Sequence, residues 1–202
     1  MKRAEAKERN RRALLDAAAR VVSRDGFRAR LDEIAGEAGL TTGAVYSLFG
    51  GKNGLLAALV TDHLGPHYDE IGRAVPGELG LLDALDAFAR HYRRTCDDPG
   101  ARSGLSLQLG LQDIALRDPG LGARLAGSVR EHEEHLVALL TGRAHRGAAV
   151  TPHQARHLAT ALRALLVGLA QGVVLGLAPD ADEAYFAAAA RALASDASLL
   201  DR

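Results

Sequence analysis

The 202-residue sequence has no tryptophan, a single cysteine (Cys96), one methionine, and only four Phe and four Tyr. One cysteine excludes an internal disulfide and any zinc site built on several thiolates, and a chain without disulfides suits a reducing compartment. Aromatic and β-branched residues, the strand formers, are scarce. Ala (39) and Leu (33), both strong helix formers, fill more than a third of the positions. An all-β fold is therefore excluded and an all-α one expected. The longest uncharged run, from Ala164 up to Asp180, is rich in glycine and shorter than the ~20 apolar residues that cross a bilayer. The first apolar stretch is interrupted by Asp16 and Arg20, unlike a signal peptide. These features predict a cytoplasmic protein with no membrane partner. The sequence also has no Gly-x-Ser-x-Gly, no phosphate loop, and no paired nucleophile and base, so no enzyme is expected. Cys96 precedes Asp97 and Asp98, which disfavour a thiolate.

With 48% hydrophobic and 25% charged residues, the composition is that of a globular chain. A net charge of zero conceals an asymmetry. Residues 1–54 hold 11 Lys or Arg against 7 Asp or Glu, a surplus of four positive charges, which the rest of the chain cancels. Six of the 11 fall within the first twelve positions. Such asymmetry suggests a polyanion-binding module, residues 1–54, joined to an acidic body, residues 55–202; a solvated basic tail would look the same.

Periodicity and Gly/Pro punctuation predict about nine helices. The first covers 9–24, with Leu14, Leu15, Ala18, Val21 and Val22 on one face and Gly26 at its end. Short helices follow at 31–38 and 43–49, broken by Gly39 and by Gly50-Gly51, with Thr41 or Thr42 capping the second of them. A fourth starts near Lys52 and ends or kinks at Gly65-Pro66. Longer ones are expected near 78–96, 101–117, 120–145, 152–178 and 181–200. Thr151-Pro152 supplies a cap and a first-turn proline.

Residues 31–52 carry the functional pattern. Two short helices around a glycine turn make a helix-turn-helix, with small residues (Ala35, Ala38, Ala44) where the helices cross. Thr41, Thr42 and Gly43 give the second helix a polar start that can meet phosphate. The stretch Leu31-Asp-Glu-Ile-Ala-Gly-Glu-Ala-Gly39-Leu-Thr-Thr-Gly43-Ala-Val-Tyr46-Ser-Leu-Phe49-Gly-Gly-Lys52-Asn-Gly-Leu55 resembles the TetR (tetracycline-repressor-like) family of bacterial transcription regulators. The matching elements are Ile34-Ala35, Ala38-Gly39, Thr42-Gly43, Tyr46, Phe49, Lys52 and Leu55, and the likeness covers about residues 10–60.

The resemblance implies a three-helix DNA-binding head, a linking fourth helix, and a helical body that binds a small molecule and dimerises. It further implies that ligand binding releases double-stranded operator DNA, as in a repressor. On that basis Thr41, Thr42, Gly43 and Ala44 meet base edges or phosphate in the major groove. Tyr46 and Lys52 meet phosphates, and Arg28, Arg30 and the basic stretch before Leu14 are further phosphate candidates. Phe49, Ile34, Leu40 and Val45 are expected in the core of the head. Two departures stand out. Where the family carries Thr or Ser before the second helix, this chain reads Ala29-Arg30-Leu31, so that either the cap is lost or Asp32 serves. Leu48 replaces a common His.

In the body, Ala164, Gly168, Gly172 and Gly176 recur every four residues, and Ala187, Ala190 and Ala194 follow. This is a small-residue ridge suited to close helix packing, at a homodimer interface or within the subunit. Polar residues in apolar stretches are candidates to orient an effector: His91, Tyr92, Gln108, Asp113, His135 and Gln171. Neither a cofactor nor a metal is expected. The rival readings are a regulator working without a small ligand and a metal-responsive one. The metal reading would rest on Glu131-His132-Glu133-Glu134-His135 or on His63 and His67, but the carboxylates and imidazoles do not repeat at di-metal spacing.

Overall fold

The computed structural model describes residues 2–59 and 74–195. Gly65-Pro66, His63 and His67 lie outside them. Nine α-helices occur among the described residues. They are α1 (Lys2–Asp25), α2 (Leu31–Glu37), α3 (Thr42–Phe49), α4 (52–59), α5 (Leu81–Thr95), α6 (Ala101–Ala115), α7 (Pro119–Leu140), α8 (Pro152–Val174) and α9 (Glu183–Ser195). α1 begins seven residues before the expected start and ends where Gly26 takes φ +58°.

Packing divides these elements into two units: 2–59 with 102–128, and 74–101 with 129–195. This differs from a cut after residue 54, because the packing follows leucines rather than charge. In the first unit, the head, Leu14, Ala18, Val21 and Val22 of α1 meet Ile34 and Ala35 of α2, Val45 of α3, and Leu55, Leu56 and Leu59 of α4. Leu107 and Leu111 of α6 and Leu121 of α7 belong to the same core. Ser103 Oγ donates to the Ser23 carbonyl at 2.6 Å, bonding an acceptor in the last turn of α1.

The second unit, the body, packs α5 chiefly on α9. Its core joins Leu81, Leu85 and Phe88 to Leu136 and Leu140 of α7, Leu158, Leu162 and Leu166 of α8, and Phe186, Ala190 and Ala194 of α9. α8 opens with a full capping box: Thr151 Oγ1 accepts from the Gln154 amide and the Gln154 side chain accepts from the Thr151 amide.

One body element was not expected. α7 stops at Leu140 rather than 145, and a two-stranded antiparallel hairpin follows, β1 (Ala144–His145) and β2 (Ala148–Ala149), with Ala144 opposite Ala149. Arg146 (φ 50°) and Gly147 (φ 83°) form its two-residue left-handed turn. The hairpin is held by the buried Arg143, which donates to the carbonyls of Leu139, Pro76 and Leu79.

The small-residue ridge does not survive as one surface. Ala187, Ala190 and Ala194 are buried in the body's own core, because α9 turns that side to α5 and α8. This corrects their assignment to a dimer interface. Gly176 lies past the end of α8 in a left-handed conformation (φ +73°) that terminates the helix. A Cβ on Gly172 would lie 3.2 Å from the Ala178 methyl, so that glycine serves the chain's own turn. Within α8, Ala164 and Gly168 remain exposed, and Gly176 is exposed beyond its end.

Candidate nucleic-acid interface

The turn between α2 and α3 follows from Gly39. Its φ of +66° lets the Leu40 amide reach back to the Ala35 carbonyl at 2.9 Å, closing α2 and re-aiming the chain. α3 then starts after Thr41, an extended N-cap residue whose side chain makes no capping bond. The Ala44 amide donates to the Thr41 carbonyl at 3.0 Å, and no side-chain cap covers the amides of Thr42 and Gly43, which suits an incoming anion.

Val45 is buried, and Leu40, Ala44 and Phe49 pack against the head core. Thr41, Thr42, Gly43 and Tyr46 are exposed. Ala44, expected at a base edge, is half-buried and divides its methyl between the core and the surface. Ser47 is also exposed, next to Tyr46 and four residues after Gly43. Helical spacing alone would have added it to the candidates.

Tyr46 is 61% exposed. Its ring edge lies over Gly51, where a Cβ would sit 3.4 Å from Cε1. Gly50 and Gly51, at φ 75° and 129°, turn the chain sharply into α4, whose first residue is Lys52. Lys52 is half-buried, and this burial lowers its ammonium pKa below the ordinary value. The tyrosine and the lysine thus flank one tight turn.

Arg28 is exposed in the short turn after α1. Arg30 is the N-cap residue of α2 and supplies no side-chain cap, so of the two alternatives the cap is lost; Asp32 does not replace it, because the helix begins before it. Instead Arg30 forks onto Asp32, Nε to Oδ1 at 3.1 Å and Nη2 to Oδ2 at 2.8 Å. That pairing holds the Asp32 carboxyl below its usual pKa and engages the guanidinium that was a phosphate candidate. Arg20 with Glu37, and Arg24 with Asp25 and Glu33, are likewise paired within the head.

The six effector candidates divide between the two units. Gln108 and Asp113 sit on α6 in the head unit, and Asp113 is exposed and bonded to Arg117 at 2.6 Å. His91 and Tyr92 are half-buried on α5, with the Tyr92 ring 6.3 Å from Phe88. Gln171 is half-buried on α8, and His135 is exposed on α7 with Nδ1 beside the Glu131 carbonyl. One surface hollow runs along α1 and another lies between α5 and α9. Neither is lined by any of the six. Of the acidic–histidine run on α7, Glu133 and Glu134 are engaged by Arg163 and Arg156 of α8. Among the described residues no group of three metal-ligating side chains forms.

Residues 14–59 match the family of bacterial regulatory proteins, tetR family. Solved structures align over nearly the whole chain. A TetR-family member from Streptomyces coelicolor A3 is 27% identical, with 92% of this chain and 98% of that one covered and a TM-score of 0.63. The multidrug binding protein EbrR, complexed with imidazole, is 25% identical over 91% and 94%, with a TM-score of 0.65. FadR from Bacillus subtilis, in complex with stearoyl-CoA, is 17% identical over 93% and 96%, with a TM-score of 0.61. No curated protein sequence matches. Residues 14–59 thus carry a helix-turn-helix head of the tetR family, and the chain has the all-α fold of the TetR-family regulators it is similar to.

Proposed function

We propose that the protein is a cytoplasmic, homodimeric transcriptional repressor that binds double-stranded operator DNA and is released from it by a small-molecule effector. One observation carries the DNA reading: α3 offers an uncapped N-terminus and an exposed Thr41–Thr42–Gly43–Tyr46 face beside the Lys52 turn. On this reading α3 enters the major groove, Thr42 and Gly43 approach base edges, and Thr41, Tyr46, Lys52 and Arg28 hold phosphates. The unit of 2–59 with 102–128 then acts as the reading module and that of 74–101 with 129–195 as the responding one.

Dimerisation is supported by α8. It is long and apolar enough by composition to cross a membrane, yet only 22% of its most apolar window is buried within the chain. Its Arg156 and Arg163 are paired with glutamates of α7, which favours a protein partner over lipid. Ala164 and Gly168 allow close approach of a second copy, and Leu175, Leu177 and Tyr185 extend the apolar surface. Paired heads would read paired half-sites about one helical turn apart. The effector reading is supported by the ligands in EbrR and FadR. Its chemical class is open.

The test is a fluorescence-anisotropy titration with DNA from upstream of the protein's own gene, at two salt concentrations. Saturable, salt-dependent binding that survives random competitor DNA is expected; no binding at any salt overturns the reading. Lys52→Ala should weaken binding to all sequences and reduce the salt slope by about one. An unchanged slope removes Lys52 from the contacts. A thermal-shift screen separates a ligand-controlled regulator from one acting without a small ligand.

A further inference from the structure

Three pairs of histidines stand three or four residues apart in the chain: His63 with His67, His132 with His135, and His153 with His157. The first pair lies outside the described residues. In the second, on α7, His132 is buried and the ring centroids are 6.2 Å apart with planes inclined at only 30°. The third, in the first two turns of α8, is arranged differently. Ala155, Leu158, Ala159 and Leu162 turn one side of α8 to the body core. His153 and His157 fall together on the other side, where His153 is exposed and His157 half-buried. Their ring centroids are 4.4 Å apart and their planes are inclined at 59°.

That inclination decides what the pair can hold. A neutral imidazole keeps one acceptor nitrogen, whose lone pair lies in the plane of the ring. Parallel rings aim their lone pairs past one another, whereas inclined rings can aim them at one point. Tetrahedral zinc with Zn–N bonds of about 2.1 Å holds two nitrogens about 3.4 Å apart, within reach of rings so spaced. The same four-residue step serves the two zinc-binding histidines of the His-Glu-x-x-His helix. Arg156, the one cation between the pair in sequence, is engaged by Glu134 of α7. The positive end of the α8 dipole opposes a cation only weakly at an exposed position.

We infer that His153 and His157 form a bidentate site for a divalent transition-metal ion that favours imidazole, such as zinc or nickel. Two protein ligands leave the ion's other positions to water, so the ion exchanges readily and folding does not depend on it. Magnesium, which takes oxygen ligands, does not suit the pair. The site uses no residue of the head and stands apart from the DNA reading.

The test is isothermal titration calorimetry of the full-length protein, without a histidine tag, against zinc and against magnesium. Saturable zinc binding is expected, and no heat of binding from magnesium. His153→Ala and His157→Ala should each weaken zinc binding roughly tenfold or more, since losing a ligand costs at least what losing its supporting shell does. Both should keep the melting temperature of the metal-free wild type, because neither ring lies in the core. His135→Ala, which removes an exposed histidine of α7, should bind zinc like the wild type. Zinc binding undiminished in both α8 variants, or weakened equally by His135→Ala, overturns the inference. A wild type that binds no zinc overturns it as well.

Discussion

The head and the body bury their cores in opposite ways. In the head, α1 and the shorter α2, α3 and α4, from neighbouring stretches of chain, fold on one another, and leucines from α6 and α7 complete the core. In the body, α5 packs on α9 across most of the intervening sequence, with alanines filling the contact. The head accordingly leaves its polar residues on a continuous outer face next to the glycine turns. Both units engage arginines in ion pairs, Arg20 with Glu37 and Arg24 with Glu33 in the head, Arg163 with Glu133 and Arg156 with Glu134 in the body. The local unit exposes polar side chains beside its glycine turns, whereas the non-local one exposes Leu175, Leu177 and Tyr185.

The sharpest test of that contrast is Phe186→Ala. Phe186 is fully buried in the body, so the loss should be about 3–5 kcal/mol. Hydrogen exchange should accelerate in α5, α8 and α9 while α1–α3 stay protected; equal acceleration in the head would abolish the distinction. Leu111→Ala should cost about 2–5 kcal/mol. Although Leu111 is remote in sequence from the helix-turn-helix, the deprotection should appear in α1 and α4, and its confinement to α6 would show that the shared core is wrong. Gly26→Ala should cost more than about 1 kcal/mol, because Gly26 is left-handed and its Cβ would sit 2.7 Å from Ser106 Oγ. A melting temperature equal to wild type would refute that close approach.

The smallest effect is expected from acid. Asp25 and Asp32 in the head and Glu134 in the body are each held below the usual carboxylate range by an arginine. Their stabilisation is present above the unfolded pKa, near 4, and is lost as pH falls through the lowered folded values. Asp32 and Glu134 are exposed and Asp25 is half-buried, so the drop in melting temperature below about pH 4 should be slight and weaker still in high salt. A rise in stability in that window would contradict the pairing.

What the sequence made legible was local. Gly39, Gly50 and Gly51 marked turns because left-handed backbone favours glycine, and Thr151-Pro152 marked the start of α8 because capping needs only neighbours. The hairpin was missed: strands of two residues carry no alternation, and only Arg146-Gly147 signalled the turn. The dimer assignment of Ala187, Ala190 and Ala194 failed because alanine is compatible with either face of α9, and the partner that decides the face, α5, is distant in sequence. The glycine spacing continued through Gly176 because composition does not show that α8 stops at Val174. Charge drew a boundary after Gly54, but Leu107, Leu111 and Leu121 could be assigned to the head only once the fold was known.

Those three leucines also bear on inheritance. A recombination event that carried away only the coding region for residues 14–59 would transfer the recognition motif and leave behind part of the apolar wall on which Leu14, Val21 and Leu55 rest. A lineage acquiring this head intact would have to receive the coding sequence for 102–128 as well, or already encode a replacement. Reading specificity and the segment that supports it would then descend together, although more than forty codons lie between them.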